Sequence, residues 1–172
     1  MNSPIEKSGE VRAATKDDLA SIAEIYAHYV TTSLSTFELQ PPDHPEWERR
    51  FAAITGAALP FLVAECAGIV AGYAYCGRWK PRPAYEHTVE DSIYLAPQAT
   101  GKGIGGTLLD TLLDACADRG IREVIAVIAD SGDDASLRLH RGRGFTEAGR
   151  LRGVGLKHGH LVDTLLLQRS LG

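Results

Sequence analysis

Gln98-Ala99-Thr100-Gly101-Lys102-Gly103-Ile104-Gly105-Gly106 is the stretch that decides how this chain folds. Before it lies Thr88–Leu95, whose alternation reads as a central strand. Behind it, Ile104, Leu108, Leu109, Leu112, Leu113 and Cys116 form an apolar stripe at helical spacing that stops before Gly120. A glycine-rich turn between a strand and a helix start offers successive backbone N–H groups and the positive end of the helix dipole, which together make an anion site. Glycine lets the backbone approach phosphate oxygens without a Cβ in the way. Two other phosphate loops fit less well. A Walker A loop requires GxxxxGK[ST], and Lys102 stands in the wrong place for it. Gly101-x-Gly103-x-x-Gly106 does satisfy the dinucleotide expression, but it follows several strands, and Glu123 is poorly placed as the acidic partner that fold requires.

Working outward, Val11–Ala14 reads as a short strand. Thr15 can cap a helix whose first turn carries Asp17 and Asp18 and whose stripe of Leu19, Ile22, Ile25, Tyr26 and Tyr29 runs to about Val30. A second helix is expected over Pro45–Ala53. Phe61–Glu65 and Ile69–Tyr75, separated by Ala67-Gly68, give a hairpin. Past the anion loop, Ile121–Ile128 reads as a buried strand, Asp133–Arg143 as a helix, and Phe145–Leu151 and Val162–Leu167 as the last strands. This mixture predicts an α/β domain over 10–172, a mixed central sheet with helices on both faces, behind a frayed segment over 1–9.

Composition narrows the function. The chain has 172 residues, 44% of them apolar, which fits one domain with a real core. A net charge of -4 and no long Lys/Arg run argue against a nucleic-acid partner. No apolar run approaches the ~20 residues of a membrane span, and no secretory leader pattern is evident, so a cytoplasmic location is expected. Cys66, Cys76 and Cys116 lack metal-ligand or disulfide-framework spacing, and no metal is expected.

The [Q/R]xxGxG pattern of Gln98–Gly103, with its strand before and long helix after, resembles the pyrophosphate loop of the GNAT acetyltransferase superfamily. The resemblance covers roughly Val11 to Gln168. Within that superfamily, Ser35-Thr36-Phe37, Trp47, Gly77–Tyr85, Thr88-Val89-Glu90, and Gly155–Gly159 with Asp163 are similar to the phosphinothricin and methionine sulfoximine N-acetyltransferases. The resemblance implies acetyl-CoA as co-substrate and a homodimer. It implies that Gly101, Lys102, Gly103, Ile104, Gly105 and Gly106 hold the pyrophosphate, and that the backbone of Ile93, Tyr94 and Leu95 pairs with the pantetheine arm. Asp133 and Ser136 complete the cofactor set. Asp133 stands where similar enzymes carry Asn, and an ionised Asp cannot donate a hydrogen bond. Two further departures are the lack of a Trp near Leu161 and the presence of Gly142 inside the expected last helix.

The chemistry of acetyl transfer selects the remaining residues. An amine is mostly protonated at pH 7, so a base must take a proton before it attacks a thioester. Glu90 is the expected base. It shares a strand face with Ser92 and Tyr94, whereas Asp91 points to the other face and is the weaker choice. The oxyanion of acyl transfer needs a donor, which the resemblance assigns to the Leu95 N–H. The leaving thiolate needs a proton. Many superfamily members place a Tyr before the Gly-Phe pair, and here His140 stands at that position, ahead of Gly144-Phe145. For a carboxylate-bearing substrate, Lys80 and Arg82 offer charge and Arg78 is a further candidate. Phe37, Trp79 and Tyr85 offer apolar walls, and Lys157 and His158 are expected to line the cleft from the final hairpin. The expected reaction is acetyl transfer to a small amino-acid-like amine. Another amine acceptor and a non-catalytic acyl-CoA sensor are the alternatives; a basic Gly77–Tyr85 loop disfavours a polyamine.

Overall fold

The computed structural model describes residues 9–172. Most of the segment expected to fray, residues 1–8, lies outside the described residues. The elements in chain order are β1 (Glu10–Ala13), α1 (Leu19–Thr32), α2 (His44–Gly56), β2 (Phe61–Cys66), β3 (Ile69–Arg78), β4 (Thr88–Leu95), α3 (Ile104–Ala117), β5 (Glu123–Ala129), α4 (Ala135–Arg141), β6 (Thr146–Lys157) and β7 (His160–Ser170). They build one seven-stranded sheet in the order β1-β2-β3-β4-β5-β7-β6, antiparallel everywhere except between β4 and β5.

Period-2 alternation along β3 sorts the helices onto two faces. Tyr73 meets Trp47 of α2 in an edge-on contact and stacks on Tyr94 of β4, which in turn meets Tyr26 of α1. Cys76, of opposite parity, points to the other face, where its sulfur lies 3.3 Å from that of Cys116 on α3. Thus α1 and α2 cover an aromatic face, while α3 buries Leu108, Leu109, Leu112 and Leu113 on the opposite one. Burying each such leucine contributes about 1.5–3 kcal/mol.

Local chemistry sets the element ends. The Asp18 carboxylate accepts from the Thr15 N–H, and a short 3-10 turn over Lys16–Asp18 precedes α1. Asp43 caps α2 by accepting from the Glu46 N–H, with Pro45 in the first turn.

Two expectations are corrected. The helix expected over Asp133–Arg143 is shorter, Ala135–Arg141. Asp133 instead accepts from the Ala135 N–H, and Gly142 ends the helix as its C-cap. The last strands are longer than their apolar runs. Strand β6 continues to Lys157 and pairs with β7 around a His158-Gly159 turn whose residues both have positive φ. As an edge strand, β6 is mostly exposed and carries no clean alternation for a sequence to display.

Candidate active site

The one parallel pairing among the described residues is short. Strands β4 and β5 pair from Thr88–Glu123 to Glu90–Ile125, after which β4 continues to Leu95 and β5 to Ala129 with no register between them. A fork opens beyond Glu90. Trp79 N donates to Thr88 O, and Ala96 N donates to Ala71 O, both toward the β3 side. Antiparallel alternation then turns the N–H and C=O of Ile93 and Leu95 the other way, into the fork. The Tyr29 hydroxyl donates to Leu95 O at 2.5 Å, which leaves the Leu95 N–H as the donor at that residue. The Tyr29 phenol pKa is raised by burial and then by the charge of Asp133, which sets the loop before α4 beside the same mouth.

The glycine stretch stands at the end of this fork. Gly101 and Gly103 have φ of +73° and +83°, conformations that exclude most side chains, and Gly103 caps α3. A Cβ on Gly105 would lie 3.3 Å from a Leu95 methyl and 3.6 Å from a Leu139 methyl, so β4, α3 and α4 converge there. Lys102 is half-buried in the turn. The unpaired β4 edge and the free N–H groups at the start of α3 suit an extended amide-bearing arm ending in a diphosphate. Among the described residues, no cluster of His, Cys, Asp and Glu could hold a metal ion.

Glu90 occupies the last paired rung, opposite Gly77 of β3 and Ile125 of β5. It is half-buried on the aromatic face. Burial raises its carboxyl pKa, the charge of Asp91 adds to the rise, and Lys80 opposes it.

His140 lies on the other face. Its Nε2 is 2.7 Å from Asp91 Oδ2 and its Nδ1 is 2.7 Å from the carbonyl of Ser136. Both side chains are almost fully buried, at 3% and 1% exposure. The Ser136 carbonyl only accepts, so Nδ1 carries a hydrogen. The Asp91–His140 pair therefore holds one further proton, shared across the 2.7 Å contact. Burial lowers the His140 pKa, but the hydrogen bond and charge of Asp91 outweigh it and the net shift is upward. Asp91 Oδ1 is buried without a partner among the described residues.

The remaining expected residues are dispersed. Phe37 packs its ring over Gly155 of β6, where a Cβ would come within 2.4 Å of it. Lys157 is buried and donates from Nζ to Thr36 O at 2.7 Å, and burial lowers its pKa. The Thr36 hydroxyl meets Tyr26 Oη at 2.6 Å, Tyr26 donates to Glu38, and Arg50 pairs with Glu38 at 2.7 Å. This chain of contacts fixes the segment after α1 beside the aromatic face. Lys80 sits 4.8 Å from the Trp79 ring centroid. Arg82 and Tyr85 are exposed around a 3-10 turn, and His158 is exposed at the hairpin tip. Arg78 has the parity opposite to Gly77 and lines a pocket with Glu86, His87 and Arg119, away from Glu90. Asp91 as the partner of His140, Tyr29, and the Thr36–Tyr26–Glu38–Arg50 chain were not singled out from the sequence. Only the opposite parity of Asp91 hinted at its place.

One prediction follows from the Phe37–Gly155 contact. Gly155→Ala should push the Phe37 ring aside and raise KM for the amine substrate several-fold, with the affinity for acetyl-CoA unchanged. Steady-state kinetics set beside calorimetric titration of the cofactor would check this.

A forked sheet with an anion loop at its mouth and a carboxylate at its apex defines an acyl-transfer scaffold. Residues 22–145 match the Acetyltransferase (GNAT) family, and the chain belongs to that family. It is 49% identical over 161 residues to the phosphinothricin N-acetyltransferase of Alcaligenes faecalis, covering 94% of this chain and 82% of that protein. It is 35% identical to the L-methionine sulfoximine/L-methionine sulfone acetyltransferase of Salmonella typhimurium, covering 94% of each chain. Its fold is similar to the crystal structure of a phosphinothricin acetyltransferase from Sinorhizobium meliloti in complex with AcCoA, with a TM-score of 0.92 and 44% identity over 96% of this chain and 89% of that one.

Proposed function

We propose that this chain is an acetyl-CoA-dependent N-acetyltransferase acting on the amino group of a small amino-acid-like substrate of the phosphinothricin or methionine sulfoximine type. The observation that carries the reading is the fork, with Glu90 at its last paired rung and Gly101–Gly106 at its mouth. Acetyl-CoA supplies the activated acetyl thioester. Ile93 and Leu95 offer backbone groups to the pantetheine arm, and Gly101 to Gly106 with Lys102 offer N–H groups and charge to the diphosphate. Asp133 stands near the arm's path and Ser136 lies in the first turn of the adjoining helix. Glu90 accepts the proton of the substrate ammonium, a task its raised pKa suits. The Leu95 N–H faces the position of the acyl oxygen. His140, with Asp91, holds the proton for the leaving thiolate. Lys80 and Arg82 attract the substrate carboxylate, while Phe37, Trp79 and Tyr85 bound the apolar part. Lys157 fixes the Phe37 segment through Thr36, and His158 lies at its margin.

The active form is a cytoplasmic homodimer. Its subunit contact uses the apolar outer side of the β6–β7 hairpin, where Val154, Leu156 and Leu161 are exposed at 57%, 65% and 73%. The cysteines, all free and buried, suit a reducing compartment.

The test is thiol release from acetyl-CoA with a panel of amines that includes phosphinothricin, methionine sulfoximine and ordinary amino acids. Turnover on either analogue supports the proposal. Release only with an unrelated amine would replace the substrate class. Cofactor binding without release on any amine would leave a sensor.

A further inference from the structure

Arg143 lies in the turn after α4, between His140 and Gly144-Phe145, and has no role in the site described so far. Its guanidinium packs on Gly106 in the first turn of α3: a Cβ at Gly106 would fall 2.0 Å from one terminal nitrogen and 2.8 Å from Cζ. The glycine leaves the space that the guanidinium fills. Nε donates to Asp110 Oδ1 at 3.2 Å, one turn further along α3. Neither Nη has an acceptor among the described residues. They rest beside Gly106 in the first turn of α3, where the helix N–H groups lack intrahelical partners. The neighbouring cations of α4 are committed elsewhere, Arg138 to Asp134 and Arg141 to Glu147. Arg143 is also partly shielded, with its side chain 30% exposed. Asp110 holds the arm through Nε alone, which leaves the planar fork of the guanidinium available for a bidentate contact.

We infer that Arg143 is a phosphate ligand, engaging phosphate oxygens of the nucleotide half of CoA beside the α3 N-terminus. This rests on the proposed cofactor reading. It adds to that reading a planar, bidentate side-chain contact beside the backbone N–H groups and Lys102 of the glycine loop.

Calorimetric titration of CoA, dephospho-CoA and pantetheine into the wild-type protein and Arg143→Met tests the inference. Losing a bidentate charge-assisted contact should weaken CoA binding about tenfold or more. Pantetheine, which carries no phosphate, should bind both proteins alike. An equal loss for CoA and dephospho-CoA assigns the contact to the diphosphate, and a loss for CoA alone assigns it to the 3′-phosphate. Asp110→Asn keeps Arg143 and removes only the opposing charge of its tether, so it should bind CoA at least as well as the wild type. If CoA binds Arg143→Met as tightly as the wild type, or if Asp110→Asn weakens binding as much as Arg143→Met does, Arg143 is structural and the inference fails. If the wild type binds no CoA at all, it is the cofactor reading that fails. Thermal melts of each variant establish that the titrated protein is folded.

Discussion

Glu90→Gln is expected to lower kcat/KM by about 100-fold or more, the range a positioned general base contributes, and at the same time to raise the thermal stability of the protein at neutral pH. Both effects come from one cause. Glu90 is half-buried, with Asp91 as its neighbour in sequence, and its pKa is raised. The catalytic form is the carboxylate, so the wild-type rate should fall as pH drops through a value above the ordinary glutamate range. In Glu90→Gln that acid limb should vanish. Between the unfolded and folded pKa values the native state binds more protons than the unfolded one, so stability falls as pH rises through this window. Above it, the ionised carboxylate is a net cost, which Gln removes. Melts at several pH values should therefore show the variant above the wild type at pH 7, with the gap closing toward acid. A variant that is both active and no more stable would remove Glu90 from the chemistry.

Asp91→Asn is expected to keep the fold and lose the proton. The Asn amide can donate to His140 Nε2 while Nδ1 still donates to the Ser136 carbonyl, so the buried contacts are satisfied with a neutral ring. Stability should change by only about 1 kcal/mol. The unit no longer holds a transferable proton, and kcat should fall by about 100-fold. Asp91→Ala, in contrast, strands a buried partner and should cost about 3–5 kcal/mol, lowering Tm by roughly 10 °C in a chain of this size. The pH dependence has the same sign as that of Glu90, because the folded pKa of each group is raised. The folded His140 pKa is raised, so its stabilisation is full below the unfolded value and is lost as pH rises through the folded one. Asp91→Asn should abolish that alkaline loss. His140→Ala should lower kcat more than it raises KM for acetyl-CoA. If Asp91→Asn retained full kcat while Asp91→Ala lost it, the pair would be a pin between α4 and β4 with no part in proton delivery.

Much of the fold was legible because its signals are local. Thr88–Leu95 and Ile104–Ala117 carry clean periods of their own, and the glycines between them declare left-handed turns. The β6–β7 hairpin was only partly legible. Its edge strand is glycine-rich and exposed, so no buried face imprinted an alternation on it. The site divides in the same way. Glu90 and His140 stood out by position in known motifs, but that they lie on opposite faces of the sheet follows only from the β3–β4 register and the α4 packing.

The sequence by itself determined the α/β class, the anion loop at the start of α3 and the kind of chemistry, because each rests on residues within one or two elements. Only the tertiary structure decided that the β4–β5 pairing stops at Glu90, that Asp91 is the partner of His140, that Lys157 is spent on Thr36, and that Arg143 reaches Gly106. These contacts join residues far apart in the chain, and the packing of helices against a twisted sheet, not any local period, brings them within hydrogen-bonding distance.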